Sequence, residues 1–195
     1  MKKLGLIYKR INMALKDNKS PILISISVYL LGFALGFILS HIYCSTMENV
    51  LIINENELVM QNPPIFGYIL KNNVKFIFIL ISGSFLFGAT TFMNLICNGL
   101  LFGGIFAESI KVISLTKVLL LTVPHAVFEL PATFISGAAG FKIPYELFRY
   151  LNGKKHYILK REEIMDFLIL VSISIFLIII AAFIESYITV IPLIY

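Results

Sequence analysis

Long apolar tracts separated by short polar stretches divide this chain into membrane-length segments. Residues 1–20 carry Leu4, Ile7, Ile11 and Leu15 at helical spacing between Lys2, Lys3, Lys9, Arg10, Lys16 and Lys19. That pattern predicts a short amphipathic helix lying on the inner leaflet, a basic arm distinct from the transmembrane domain of residues 21–195. Residues 21–43 form a first apolar run, close to the ~20 residues needed to cross a bilayer core. Its end, Ser40-His41-Ile42-Tyr43-Cys44, lacks a small-x-small cleavage pattern, so it reads as a retained span. A polar loop follows at 44–72, with Glu48, Glu55, Glu57 and the pair Pro63-Pro64.

The next apolar tract, 74–110, is far too long for one crossing. It divides into spans at about 73–92 and 97–110, turning near Met93 and Asn94, where Asn94, Asn98 and Gly99 offer polar partners and a flexible backbone. Asn72 and Asn73 are placed to cap the first of these spans. A three-span chain in which this tract re-enters the bilayer is the competing division. The fourth span, about 118–141, holds Pro124, Pro131, Gly137 and Gly140, with Ser136, Ala138 and Ala139 among the glycines. Prolines remove helix hydrogen bonds, so a kinked, Pro/Gly-interrupted helix is expected, with small residues admitting a close neighbour. A basic loop at 142–166 and a last span at 167–192 complete an all-α membrane bundle of about five helices.

Composition supports that division and narrows the class. Of 195 residues, 58% are apolar and 14% charged, with mean hydropathy +0.91, more apolar surface than a soluble domain of this size buries. The net charge of +5 comes from basic residues flanking apolar spans, which suits anionic lipid headgroups and not nucleic acid. Lys and Arg also set the orientation. Six lie in the arm and six in the 142–166 loop, against Lys71, Lys75, Lys111 and Lys117 on the other side. By the positive-inside bias the N-terminus is cytoplasmic and the C-terminus external, which five spans satisfy. Cys44 and Cys97, read as lying at opposite ends of spans, are not placed for a disulfide or a metal.

Ionisable groups inside a span are costly and mark function. His125 and Glu129 share a face of the fourth span, four residues apart, and Glu185 lies on the fifth, about 7 Å outward of its midpoint at 1.5 Å per residue. All three converge in the outer half of the bilayer. They suit a metal site, with zinc the ion such ligands would hold, a proton or ion relay, or a hydrogen-bonded cluster that joins two helices. His41 reads as an interfacial residue, and the aromatic residues as membrane filler and interface anchors. No HExxH motif, nucleophile elbow or phosphate loop is present.

Several blocks together resemble the stage II sporulation protein M family: Asn73, Asn98-Gly99-Leu100-Leu101-Phe102-Gly103, Pro124-His125-Ala126-Val127-Phe128-Glu129-Leu130-Pro131-Ala132, Ser136-Gly137-Ala138-Ala139-Gly140 and Ile184-Glu185-Ser186-Tyr187-Ile188-Thr189. The resemblance implies a polytopic protein of the bacterial cytoplasmic membrane that works with other membrane proteins in an envelope complex. Sporulation-type wall remodelling, or maturation and export of a peptide such as a bacteriocin, are the roles it brings. The alternative from the residues is an intramembrane metal-dependent peptidase or peptide cyclase. There His125, Glu129 and Glu185 would be catalytic and metal-binding, with a metal-bound water as nucleophile.

Overall fold

The computed structural model describes residues 2–46 and 66–188, all helices and turns with no strand among them. Six helices follow one another: α1 (Lys2–Asp17), α2 (Lys19–Thr46), α3 (Phe66–Ser82), α4 (Ala89–Val112), α5 (Leu115–Leu151) and α6 (Arg161–Tyr187). By length and composition α2, α4, α5 and α6 are each long and apolar enough to cross a membrane. Helix α3, at 17 residues, measures about 25 Å at 1.5 Å per residue.

From α2 onward the helices alternate in direction, α2, α4 and α6 running one way and α3 and α5 the other. At one end Arg10 of α1, Lys142 of α5 and Asp166 of α6 meet. At the opposite end Phe66 of α3 packs edge-on against Phe183 of α6, and Ser40 of α2 donates to Glu108 of α4. Both basic segments of the sequence therefore gather at a single end.

Two packing solutions build the bundle. Parallel helices α2 and α4 make the most extensive contact in the molecule, along a seam of glycines. A Cβ at Gly32 or Gly36 would collide with the carbonyls of Ile96 and Leu100, and one at Gly99 or Gly103 with those of Tyr29 and Phe33. Each backbone lies where the other's side chain would otherwise be, the close approach that small residues at four-residue spacing permit. Around this seam, Phe33, Phe102 and Phe106 stack to close the gap. The second solution is the half of α5 nearer the basic end. Ala132, Thr133, Ser136, Gly137, Ala138, Ala139 and Gly140 are all buried; Ala132 and Ala139 pack with Ile77 and Ile81 of α3 and Leu170, Ile178 and Ala181 of α6, while Gly137 faces Ser25 of α2 and Leu95 of α4, and Gly140 faces Leu80 and Thr91.

Several boundaries differ from the sequence expectation. The turn between the third and fourth helices lies at residues 83–88, not at Met93 and Asn94. Those two residues are inside α4, where Asn94 Nδ2 donates to the Thr90 carbonyl and Asn98 Nδ2 to that of Asn94. Bonding back along its own helix satisfies each amide there, so a residue type that often marks a turn sits within the helix instead. Asn72 and Asn73 do not cap a span; they sit inside α3, which begins at Phe66. The basic 142–166 loop shrinks to residues 152–160, because α5 runs on to Leu151 and α6 starts at Arg161. Helix α5 continues unbroken through Pro124, Pro131 and Pro144. Glu48, Glu55, Glu57, Pro63, Pro64, Thr189 and Pro192 lie outside the described residues.

Candidate functional site: polar residues inside the bundle

Helix α5 positions His125 and Glu129 one turn apart, and α6 brings Glu185 two residues before its end. The Lys142–Asp166 ion pair fixes their register. Seventeen residues back from Lys142 on α5 is His125, and seventeen on from Asp166 along α6 is Phe183, so Glu185 reaches about the level of His125. All three side chains are half-buried. Glu129 and Glu185 are near enough for their charges to act on each other across the α5–α6 contact. Among the described residues, no group of three or more His, Cys, Asp or Glu side chains is arranged to hold a metal ion.

Two further residues belong to this region. Tyr29 of α2 is buried, stacks edge-on with Phe134 of α5 at 5.5 Å between ring centroids, and interacts electrostatically with Glu129. By sequence it falls among the membrane-filling aromatics. Its one signal is position: tyrosines favour the membrane interface, and this one lies ten residues inside the first long helix. Asn73 of α3 is the second. The Ser84 hydroxyl donates to the Ala139 carbonyl, and counting eleven residues back along each helix brings Asn73 to about the level of Phe128 and Glu129. Its Nδ2 is buried with no hydrogen-bond partner in the structure, an expensive state for an amide. Four helices thus direct polar groups toward one level of the bundle, in the half away from the basic end.

The basic end is a separate polar network. Lys142 is almost fully buried; its Nζ donates to Asn18 Oδ1 at 2.5 Å and lies 3.6 Å from Asp166 Oδ2. Asn18 is the single residue between α1 and α2, and its amide also donates to the Ala14 carbonyl. Arg10 Nη2 lies 2.8 Å from Asp166 Oδ1, an ion pair by distance without hydrogen-bond alignment, and donates to the Glu162 carbonyl. Lys155 joins Glu146, at 2.6 Å, to Glu163. Desolvation works against the Lys155 ammonium, but hydrogen bonds to those two carboxylates hold its pKa above the ordinary lysine value. The network ties α1, α5 and α6 together where they leave the apolar zone.

The part of α5 far from the basic end contrasts with all of this. Leu115, Leu119, Leu120, Val123 and Val127 are exposed, and Thr116, Leu119, Leu120, Val123, Pro124 and Val127 line a shallow apolar groove. His125 and Glu129 lie on the other side of the same turns.

No solved structure matches this chain. One relative is a protein of Methanocaldococcus jannaschii, named only as uncharacterised, 44% identical over 179 residues, covering 88% of this chain and 94% of that protein. The family model described as stage II sporulation protein M matches residues 25–190, which include every polar residue of the site. This chain is a member of the stage II sporulation protein M family.

Proposed function

We propose that this chain is a polytopic membrane subunit of a bacterial cell-envelope complex, working beside a partner protein in wall remodelling or in peptide maturation and export. Five helices, α2 to α6, cross the membrane in this reading, with the basic end cytoplasmic and the C-terminus external. The observation that carries it is the outer half of α5: an apolar groove with no covering helix among the described residues, backed by the His125–Glu129–Glu185 cluster and Tyr29. A partner's transmembrane segment seats in the groove, and the polar cluster sets how that half of α5 is presented. The test is a photo-crosslinking amino acid at Leu120 in native membranes, with another at Leu80, a large and fully buried side chain, as control. A discrete protein adduct from position 120 and none from 80 is expected; lipid adducts alone from position 120 would defeat the subunit reading.

A second reading rests on the proximity of Glu129 and Glu185, with His125 a turn away: an intramembrane metal-dependent peptidase or peptide cyclase. It requires about one zinc-like ion per purified chain, lost in His125→Ala, Glu129→Gln and Glu185→Gln alike. Metal-free wild-type protein that still forms the partner adduct would eliminate it.

A further inference from the structure

The α3–α4 turn is built unlike a turn that stands in water. Residues 76–107 contain no charged side chain, and the turn at 83–88 lies within that run. At its tip Phe85 is 75% exposed, Leu86 53% and Phe87 80%, three consecutive large apolar side chains that no other part of the described structure covers. The polar side chains around them are hydrogen-bonded within the protein: Ser82 to the Ile79 carbonyl and the Thr90 hydroxyl, Ser84 to the Ala139 carbonyl, and Thr91 to that of Leu80. The N–H groups of Gly83, Ser84, Phe85, Leu86, Gly88 and Ala89 all donate to carbonyls in the turn or at the end of α3.

The backbone geometry is equally particular. Phe87 has φ of 50°, in the left-handed region that a bulky side chain rarely occupies, and Gly88 follows at 80°. A Cβ at Gly88 would press on the Phe141 ring, so the turn is held against α5, one residue short of buried Lys142. Such a conformation persists only where its surroundings over-determine it. Here it points the aromatic tip away from the bundle. Irregular backbone is tolerated at membrane depth when its hydrogen bonds are satisfied internally, and that condition is largely met. Helix α3 is also about 5 Å short of the ~30 Å hydrocarbon core. An apolar turn supplies the missing depth.

We propose that this turn is a lipid-embedded wedge, with Phe85, Leu86 and Phe87 inserted among the acyl chains of the leaflet at the basic end. Its partner is the lipid itself, and α3 completes its crossing through the turn instead of emerging into water.

The test uses the purified full-length chain with Cys44→Ser and Cys97→Ala, carrying a nitroxide at Phe85→Cys, in phosphatidylcholine–phosphatidylglycerol nanodiscs. Tyr157→Cys, at a 67% exposed position in the 152–160 segment, is the aqueous reference. Dissolved oxygen should relax the Phe85 label several-fold more than a water-soluble nickel chelate does, and the Tyr157 label should show the reverse ratio. Nickel relaxation at Phe85 equal to that at Tyr157 places the turn in water and overturns the proposal. Protection from both reagents places it under protein and overturns it equally. Leu86→Cys serves the same measurement if Phe85→Cys does not accumulate as folded protein.

Discussion

The two halves of α5 are made from one continuous helix by opposite means. From Ala132 to Lys142 one face is built of small, enclosed residues, with Ala132, Ala138, Ala139 and Ser136 wholly buried. From Leu115 to Val127 it is large, branched and open, with Val118 the one buried residue of that stretch. Small residues bring neighbouring backbones into contact and fix a geometry; large apolar ones meet whatever lies in the membrane. The fold therefore rests on the half nearer the basic end, and the far half, with His125 on it and Glu129 at its border, is left to make contacts of its own.

The largest effect should come from breaking the enclosed half. A Cβ at Gly140 would collide with the Leu80 carbonyl, which belongs to the backbone and cannot step aside, whereas at Gly137 the first neighbour is the Ser25 hydroxyl at 2.8 Å, a side chain that can turn. Gly140→Leu is expected to abolish the monodisperse peak in detergent size-exclusion chromatography, and Gly137→Leu to lower thermal stability by about 1–3 kcal/mol, the usual cost of overpacking. Equal tolerance of both would show that this face is not tightly packed.

Next in size is the ion network that closes the same half. Lys142→Met leaves Asp166 with Arg10 alone and removes the donor from Asn18. Removing one member of a buried pair costs about 3–5 kcal/mol, so a loss near 3 kcal/mol is expected, Arg10 offsetting part of it. Adding Asp166→Leu should recover most of that loss. A double-mutant cycle of thermal unfolding in detergent measures the coupling; simple additivity would mean that the two groups do not support each other.

What the sequence makes legible depends on distance along the chain. The apolar tracts announce the long helices directly, and the small residues after Pro131 announce a close contact, because both properties are local. Lys142 reads as a loop residue since its compensation is remote: Asn18 and Asp166 are far away in sequence, and a lysine without visible partners looks solvated. Asn94 and Asn98 read as a turn because amides often mark one, yet their partners lie four residues back in the same helix. The true turn carries a signal in Gly83 and Gly88, masked by the apolar Phe85, Leu86 and Phe87 between them. In the candidate site, His125, Glu129 and Glu185 stand out because charge in an apolar span needs no alignment to be noticed. Tyr29 and Asn73 enter the region only through the packing of α2 and α3.

Smallest in stability, and most informative, is Glu129→Gln, which keeps shape and most hydrogen bonding while removing the ionisable carboxyl group near Glu185 and Tyr29. The central claim is that the half of α5 nearer the basic end holds the fold and the far half, through the polar cluster, presents a contact face. Thermal unfolding and the Leu120 crosslink, measured together on Glu129→Gln, test it directly. The account predicts a stability change within about 1 kcal/mol, far below that of Lys142→Met, with the Leu120 partner adduct strongly reduced. A stability loss as large as that of Lys142→Met, with the adduct intact, would contradict it and make the cluster a part of the fold.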